Sequence, residues 1–256
     1  MKTLSALIIS AIVLSMSALP AFSDETALTH EACMKPLVSA FAALSDEHIK
    51  SVQRGLHMLA DTNEAKSGDW ERMKGPLADF SGSGITVAAV WFANPDGSYF
   101  TVAEGLTGLN ISDRAYFTGL MEGKDAVGSL VISKSTGKRS TVVAVPVIKD
   151  GGVVGALGAS MSVEEMSRML GDDMGLPDNM VFYALDKDGQ SSLHKNADLL
   201  FAYPSDMGSE SLDEALKQMM SEPEGVVRYE FRGKKTVFFK RSTYTDWVYA
   251  VGVVGK

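Results

Sequence analysis

Three residues near the middle of the sequence, Arg114, Tyr116 and Phe117, have the types and spacing needed to bind a small carboxylate. An arginine guanidinium makes paired, charge-assisted hydrogen bonds to a carboxylate, and neighbouring aromatic rings supply apolar walls. A structural role explains the same residues equally well, because Arg114 could pair with Asp113 or Asp125 while the two rings pack in the core. Chemistry alone leaves both interpretations open.

Other motifs are better explained by turns and packing than by chemistry. Residues 186–189 begin like a calcium loop, but Lys195 stands where such a loop needs a Glu, so we predict a hairpin turn. Gly152, Gly155 and Gly158 lie inside an apolar run rather than between a strand and a helix. This position favours close backbone packing or a bulge over a phosphate loop.

No catalytic motif is present in the sequence. It contains no Gly-x-Ser-x-Gly elbow, no His-Glu-x-x-His pair and no cysteine cluster. The four histidines do not have a metal-ligand spacing, although His30 lies three residues from Cys33. We therefore predict a protein that is not an enzyme and that has no cofactor and no metal.

Composition and charge exclude further classes. At 256 residues and 45% hydrophobic content, the chain has room for one large domain or two small ones with a real core. Its net charge of −8 argues against nucleic-acid binding. Cys33 is the only cysteine, so no internal disulfide can form, and we expect its side chain to be buried.

Residues 1–23 have the composition of a signal peptide. Lys2 precedes an apolar run over residues 4–19, and Ala21 and Ser23 are the small residues that a signal peptidase needs. An uncleaved anchor is the alternative, but the run contains four serines and falls short of the ~20 apolar residues that span a bilayer. We predict cleavage after Ser23 and a periplasmic or secreted protein. We expect no second membrane helix and no cytoplasmic output domain.

Residues 24–80 are predicted to be helical. Apolar residues recur every three or four positions over residues 29–59, which indicates a long amphipathic helix, and Pro36 is a candidate for its first turn. His48 lies on the apolar stripe and is interpreted as a packed residue rather than a ligand or a switch. A second, shorter helix is predicted over residues 69–80.

Residues 81–170 are predicted to form a sheet module with the order strand, turn, strand, short helix and three strands. The first strand ends at the turn formed by residues 94–97, and a helix over residues 162–170 closes the module. A linker is predicted over residues 171–178. The four strands with defined bounds cover residues 85–92, 128–133, 141–148 and 153–161.

Residues 179–256 repeat this pattern as a second module. Gly189 follows Gly97 by 92 residues, and Gly233 follows Gly137 by 96 residues. Strands are predicted around these turns, with a helix over residues 211–220 in place of the first module's helical cover.

This arrangement resembles the double Cache sensor domains of bacterial chemoreceptors and sensor kinases. The resemblance implies an α+β fold in which a long N-terminal helix is followed by two tandem PAS-like (Cache) antiparallel-sheet modules. It also implies that the first module binds a small ligand through an Arg and aromatic residues at the Asp-Arg-x-Tyr-Phe positions. The predicted ligand-binding residues are Arg114, Tyr116, Phe117, Ser129, Val131 and Ser160.

Members that bind amino acids have three residues that this sequence lacks. Their aromatic residue before the arginine, their third-strand tyrosine and their fifth-strand aspartate correspond here to Leu109, Val131 and Ser160. An ammonium in a pocket needs an opposing charge, and Ser160 offers only a neutral hydroxyl. The resemblance therefore disfavours an α-amino acid as the ligand.

The leading hypothesis is an exported, stand-alone sensor domain that binds a small organic anion and signals through a partner, either a membrane receptor or a sensor kinase. The alternative is a structural or interaction module with a vestigial pocket, whose long helix forms a homodimer or pairs with a receptor. A third class, an exported hydrolase, is disfavoured by the missing nucleophile motifs.

Overall fold

The computed structural model describes residues 22–83 and 87–255, with side chains from Cys33 onward. The signal-peptide prediction, apart from its last two residues, lies outside the described residues, as does Ile85 at the start of the first predicted strand. In the described part, none of the helices is both long and apolar enough to cross a membrane.

The first helix, α1, is Phe22–Ala60. It extends beyond both ends of the predicted segment, and Pro36 lies inside it rather than at its start. Buried residues recur at helical spacing along one side: Met34, Val38, Phe41, Ser45, Ile49, Val52 and Leu56. His48 borders this stripe and is half-buried, and its burial lowers the pKa of the imidazole against the opposing effect of Asp173.

The prediction that Cys33 is buried was wrong. Cys33 is exposed because it precedes Met34, the first buried residue of the stripe, by one position. One residue is a rotation of about 100° on a helix, which takes the Cys33 side chain away from the core. Leu44 is 44% exposed for the same reason, since Ser45 takes its place on the buried side.

Two helices follow α1, namely α2 (Asn63–Lys66) and α3 (Trp70–Ser81). The side chain of Asp69 accepts a hydrogen bond from the Glu71 amide and starts α3 one residue after its predicted beginning. The Trp70 ring stacks on Phe100 at 5.0 Å between centroids, so α3 packs against the first sheet.

The elements of the first module's sheet and cover are β1 (Ala89–Ala93), β2 (Ser98–Thr101), β3 (Gly105–Asn110), α4 (Phe117–Met121), β4 (Ala126–Ile132), β5 (Arg139–Lys149) and β6 (Gly152–Ser162). The strands form an antiparallel sheet with the order β3-β2-β1-β6-β5-β4. Strand β3 was not predicted, because it is mostly exposed and because Gly105 and Gly108 have positive φ, which breaks the alternation typical of a strand.

The glycines of β6 allow close packing, as predicted. A Cβ atom on Gly158 would lie 2.1 Å from the Trp91 ring, and one on Gly155 would lie 2.8 Å from the Ala93 carbonyl oxygen. Only glycine leaves room for the aromatic side chains of β1 against this strand.

The helix after the first sheet, α5 (Val163–Met174), is longer than predicted. It ends at Gly175, which has φ 56, rather than at Gly171, so the first part of the predicted linker is helical. Gly171 has a packing role instead, because a Cβ atom there would lie 3.1 Å from the Phe182 ring.

The second sheet has the order β8-β7-β11-β10-β9. This is the order of the first sheet without β3. In the chain, the helical cover lies between β2 and β4 in the first module and between β8 and β9 in the second. The turn at residues 186–189 is a hairpin, in which the Asp186 side chain accepts the amides of Asp188 and Gln190. The elements are β7 (Met180–Leu185), β8 (Ser191–His194), two short 3-10 helices (Ala197–Leu199 and Pro204–Met207), α6 (Glu210–Ser221), β9 (Glu224–Glu230), β10 (Lys234–Arg241) and β11 (Val248–Val254).

Three clusters of buried side chains hold these elements together. The largest joins α1 to one face of both sheets, and its Phe41 ring lies 5.3 Å from Phe182 and 5.1 Å from Tyr249 between centroids. The other two clusters lie on the opposite face of each sheet, beneath that module's own cover. Each sheet therefore has one face against the α1 cluster and the other face beneath its own cover.

Candidate functional site

Two of the predicted ligand-binding residues, Arg114 and Tyr116, belong to the segment of residues 111–116, which connects β3 to α4. This cover segment is held to the β1–β2 turn by Asn110, whose side-chain amide donates to the Asp96 carbonyl at 2.9 Å and whose Oδ1 accepts from the Ser112 amide at 2.8 Å. Gly97 is required here, because its φ is +85 and a Cβ would lie 2.5 Å from the Asn110 oxygen.

A cavity of about 20 Å³ lies between this cover and the sheet. Four of the six predicted residues line it: Arg114, Tyr116, Val131 and Ser160. The structure adds residues that were not predicted from the sequence: Trp91, Tyr99, Ile111, Ser133, Lys134, Ser135 and Val142. A space of this size holds about one water molecule.

Phe117 and Ser129 do not line this cavity. Phe117 begins α4 and is buried in the cluster beneath the cover. Ser129 pairs with Val142 just after a bulge in β4. Leu109, which stands at the position of the missing aromatic residue, is 40% exposed and also lies outside the lining.

Arg114 is fixed by the backbone and not by an acid. Its Nη2 donates to the Ile132 carbonyl oxygen at 2.8 Å, and among the described residues no carboxylate lies within ion-pairing distance of it. The two acids that could have paired with it have other partners. Asp113 accepts from Lys134 at 2.8 Å, and Asp125 accepts from the Gln53 amide at 2.6 Å and lies 2.7 Å from His57 Nε2.

The lining of the cavity is positively charged overall. Arg114 and Lys134 contribute its charged groups, and no acidic residue lines it. The hydrogen bond from Lys134, together with the charges of Lys134 and Arg114, lowers the pKa of the Asp113 carboxyl, but Asp113 forms its ion pair with Lys134 and not with Arg114. Burial raises the pKa of Tyr116 to about 12, so its hydroxyl keeps its proton at neutral pH and can donate to an anion.

The position of Ser160 on β6 places a neutral hydroxyl on the floor of the cavity. Ser160 is 5% exposed and pairs with Ala89 on one side and Val142 on the other. Glu104 is exposed and lies outside the lining, so neither it nor Asp125 supplies a negative charge there. An ammonium group would therefore meet cations and hydroxyls but no carboxylate.

The cavity is small because aromatic side chains fill it. Trp91 of β1 and Tyr99 of β2 are 4% and 3% exposed and face the cover. Sequence reasoning missed them because an inward-facing aromatic residue in a strand has the same pattern whether it packs in a core or lines a site. In the described part of the chain, no group of three His, Cys, Asp or Glu could hold a metal ion.

No protein-family model and no curated protein matches the chain. Among solved structures, the sensor domain of the V. cholerae histidine kinase DctB is 14% identical with a TM-score of 0.69, covering 91% of this chain and 99% of that one. The ligand-binding domain of the Pseudomonas aeruginosa PAO1 amino acid chemoreceptor PctB, in complex with L-Arg, is 15% identical with a TM-score of 0.70, covering 91% and 96%.

A third match extends over a much longer protein. An extracellular ligand-binding receptor from Desulfohalobium retbaense DSM5692 is 14% identical with a TM-score of 0.71, and the match covers 85% of this chain but 39% of that receptor. At these identities the similarity establishes the fold. The predicted α+β fold with two tandem PAS-like modules, and its resemblance to double Cache sensor domains, are confirmed.

Proposed function

We propose that this chain, which has the fold of extracytoplasmic sensor domains, binds a small organic anion between the sheet and the cover of its first module. The observation that carries the proposal is the guanidinium of Arg114, which lies at the cavity with no carboxylate partner among the described residues. A ligand carboxylate would receive its remaining N–H donors, with the hydroxyls of Tyr116 and Ser160 nearby.

The size of the cavity determines how the ligand must enter. Because about 20 Å³ holds about one water molecule, even a short carboxylate has to displace part of the lining. The cover segment is the part that can yield, since Lys134 ties it to the sheet through an exposed ion pair with Asp113 and a 2.7 Å hydrogen bond to the Asn110 carbonyl. An incoming anion competes with Asp113 for Lys134, so binding would loosen the cover.

We further propose that the protein acts in the periplasm or outside the cell, and that the movement of the cover is read by a membrane receptor or a sensor kinase. The fold supports this location, since the similar structures include the extracellular domain of a putative histidine kinase and the periplasmic sensory domain of a Campylobacter jejuni chemoreceptor. An α-amino acid is a poor ligand under this proposal because no acid lines the site.

The test is a thermal melt of the protein from Asp24 onward against short carboxylates. A ligand at ~100 times its Kd adds about 2.7 kcal/mol, which raises Tm by roughly 5–10 °C for a chain of this size. Propionate should outrank alanine, because the ammonium of alanine meets only cations and hydroxyls. Arg114→Ala should abolish the shift in Tm while leaving the apo Tm nearly unchanged.

Arg72→Ala is the matched control, since Arg72 is an exposed arginine of α3 that does not line the cavity. It should keep the full ligand response. An Arg114→Ala protein that still responds to propionate, or a wild type that prefers alanine, would overturn the proposed site.

A second function is favoured by the small size of the first cavity. The chain would then be an interaction module that works through α1, where Leu44 and Met58 are 44% and 76% exposed. These residues are 14 positions apart, about four helical turns, and so lie on the same side of the helix. A homodimer that Met58→Glu dissociates, with no carboxylate response, would support this function instead.

A further inference from the structure

A second and larger cavity lies in the second module, between its sheet and α6. Its volume is about 230 Å³. The walls are largely apolar and come from both layers, including Leu185 of β7, Leu212 and Leu216 of α6, and Phe231 after β9. The Tyr229 hydroxyl donates to that of Tyr183 at 3.2 Å, and the Tyr183 hydroxyl donates to Met219 Sδ at 3.5 Å, so both protons have partners without a ligand.

Two cations line this cavity. Lys235 Nζ donates to the carbonyl oxygens of Phe231 and Gly233 and lies over the rings of Tyr229 and Phe231, 5.6 and 5.5 Å from their centroids. The Arg232 guanidinium lies 5.2 Å from the Phe231 centroid. Within the described ranges, neither cation has a carboxylate within ion-pairing distance, and no acidic residue lines the cavity.

The histidine that lines the cavity, His194, is neutral at physiological pH. Burial lowers the pKa of His194 to about 4. Its Nδ1 accepts the Asn196 amide at 2.8 Å, which places the remaining ring proton on Nε2 as a donor. Burial and the nearby Arg232 also lower the pKa of Lys235, so an anion between the two cations would relieve their repulsion.

The volume sets the size of the ligand. An apolar cavity of ~150 Å³ accepts a benzene-sized molecule, so 230 Å³ accommodates an apolar body of about ten heavy atoms. We propose that the second-module cavity binds a free amphipathic monocarboxylate, such as a medium-chain or aromatic acid. Its apolar body lies between the sheet and α6, and its carboxylate contacts Lys235 and Arg232.

This site is separate from the anion site proposed for the first module. The two cavities share no lining residue. The first has two cations around a space of about one water molecule, whereas the second combines cations with a space that can hold a hydrocarbon. A ligand of the second site would therefore be recognised chiefly through its apolar body, with the carboxylate setting its orientation.

Calorimetric titration of the protein from Asp24 onward with octanoate, octanol and octylamine tests the proposal. Octanoate should bind with one-to-one stoichiometry, octanol at least tenfold more weakly, and octylamine not at all. Lys235→Met should weaken octanoate binding at least tenfold. The matched control is Lys234→Met, because Lys234 is an exposed neighbour on β10 outside the lining, and it should bind octanoate as the wild type does.

Two further variants locate the bound molecule. Leu216→Trp should fill the cavity and abolish octanoate binding, and Arg114→Ala should leave it unchanged. Equal affinity for octanoate and octanol, or a Lys235→Met protein that binds normally, would overturn the carboxylate assignment. Failure of octanoate to bind the wild type, or binding that survives Leu216→Trp, would overturn the site itself, and capture of a peptide segment there instead would do the same.

Discussion

The two modules share the order of five strands, yet the spaces beneath their covers differ about tenfold, about 20 Å³ against about 230 Å³. Tyr99 and Ser191 occupy equivalent positions 92 residues apart. Tyr99 pairs with Ala93 across β1 and β2, and Ser191 pairs with Leu185 across β7 and β8. The first module therefore places a phenol ring where the second has only a hydroxymethyl group.

A second pair of equivalent positions also makes the first cavity the smaller of the two. Trp91 pairs with Gly158 in the first sheet, and Tyr183 pairs with Ala250 in the second, again with an offset of 92 residues. The larger ring faces the smaller partner, since Trp91 fits only because position 158 has no Cβ. The difference in cavity volume is thus explained by a few side chains on the first two strands of each sheet and not by the order of the strands.

The largest expected effect is the loss of stability when the Trp91 side chain, which fills much of the space beneath the first cover, is removed. Trp91→Ala should destabilise the protein by about 3–5 kcal/mol, because it removes a buried indole whose surroundings cannot collapse fully. Urea denaturation measures this change. Tyr203→Ala is the control, since Tyr203 is 42% exposed, and it should change stability by no more than about 0.5 kcal/mol. Equal losses of stability in the two variants would show that the Trp91 side chain is not tightly packed in the wall of the cavity.

A smaller effect distinguishes the second module from the first, namely a dependence of stability on pH that arises from His194. His194 pairs with Tyr183 at the position where the first module has Thr101 opposite Trp91. Burial lowers the folded-state pKa of His194 to about 4, below the ~6.5 of an unfolded histidine. Between these values the unfolded chain binds the extra proton, so stability falls as pH falls from about 6.5 to 4, by at most about 3 kcal/mol.

The variant His194→Thr should lose this part of the pH dependence. Urea denaturation at pH 7 and pH 5 measures it as the difference between wild type and variant, which cancels the contributions of other titrating groups such as His48. A variant whose stability falls as steeply as that of the wild type would show that His194 is protonated in the folded protein.

Much of the fold was predictable from the sequence, because the features that specify it are local. The apolar spacing of α1, the hairpin turns and the 92-residue repeat each depend on a few neighbouring residues. The predictions failed for features that are determined by tertiary contacts rather than by neighbouring residues. Gly171 has the sequence pattern of a helix end but serves to admit the Phe182 ring, and β3 lacks the apolar alternation that would reveal it.

The candidate sites were less predictable than the fold. Arg114 was identifiable from its motif. That no described carboxylate forms an ion pair with it depends on where Lys134, Gln53 and His57 direct Asp113 and Asp125. The volume of a cavity is the gap left between side chains from distant elements. The spacing of residues in the sequence does not reveal that the Tyr99 side chain fills part of the first cavity while Ser191 leaves the second cavity open.

The smallest effect, about tenfold in affinity, comes from exchanging the two side chains that distinguish the cavities. Ser191→Tyr should weaken octanoate binding about tenfold, because the phenol ring occupies part of the second cavity. Tyr99→Ser should raise the affinity of the first module for benzoate about tenfold, because it enlarges the first cavity. Calorimetric titration measures both affinities.

The exchange can be tested against matched variants. Ser205→Tyr places the same ring on an exposed serine outside the second cavity and should leave octanoate binding unchanged. The benzoate bound by Tyr99→Ser should be lost when Arg114→Ala is added, since the guanidinium would hold the carboxylate whatever the size of its body. If Ser191→Tyr binds octanoate normally, or if the gain in Tyr99→Ser persists without Arg114, then these two positions do not set the ligand size and the difference in volume has another origin.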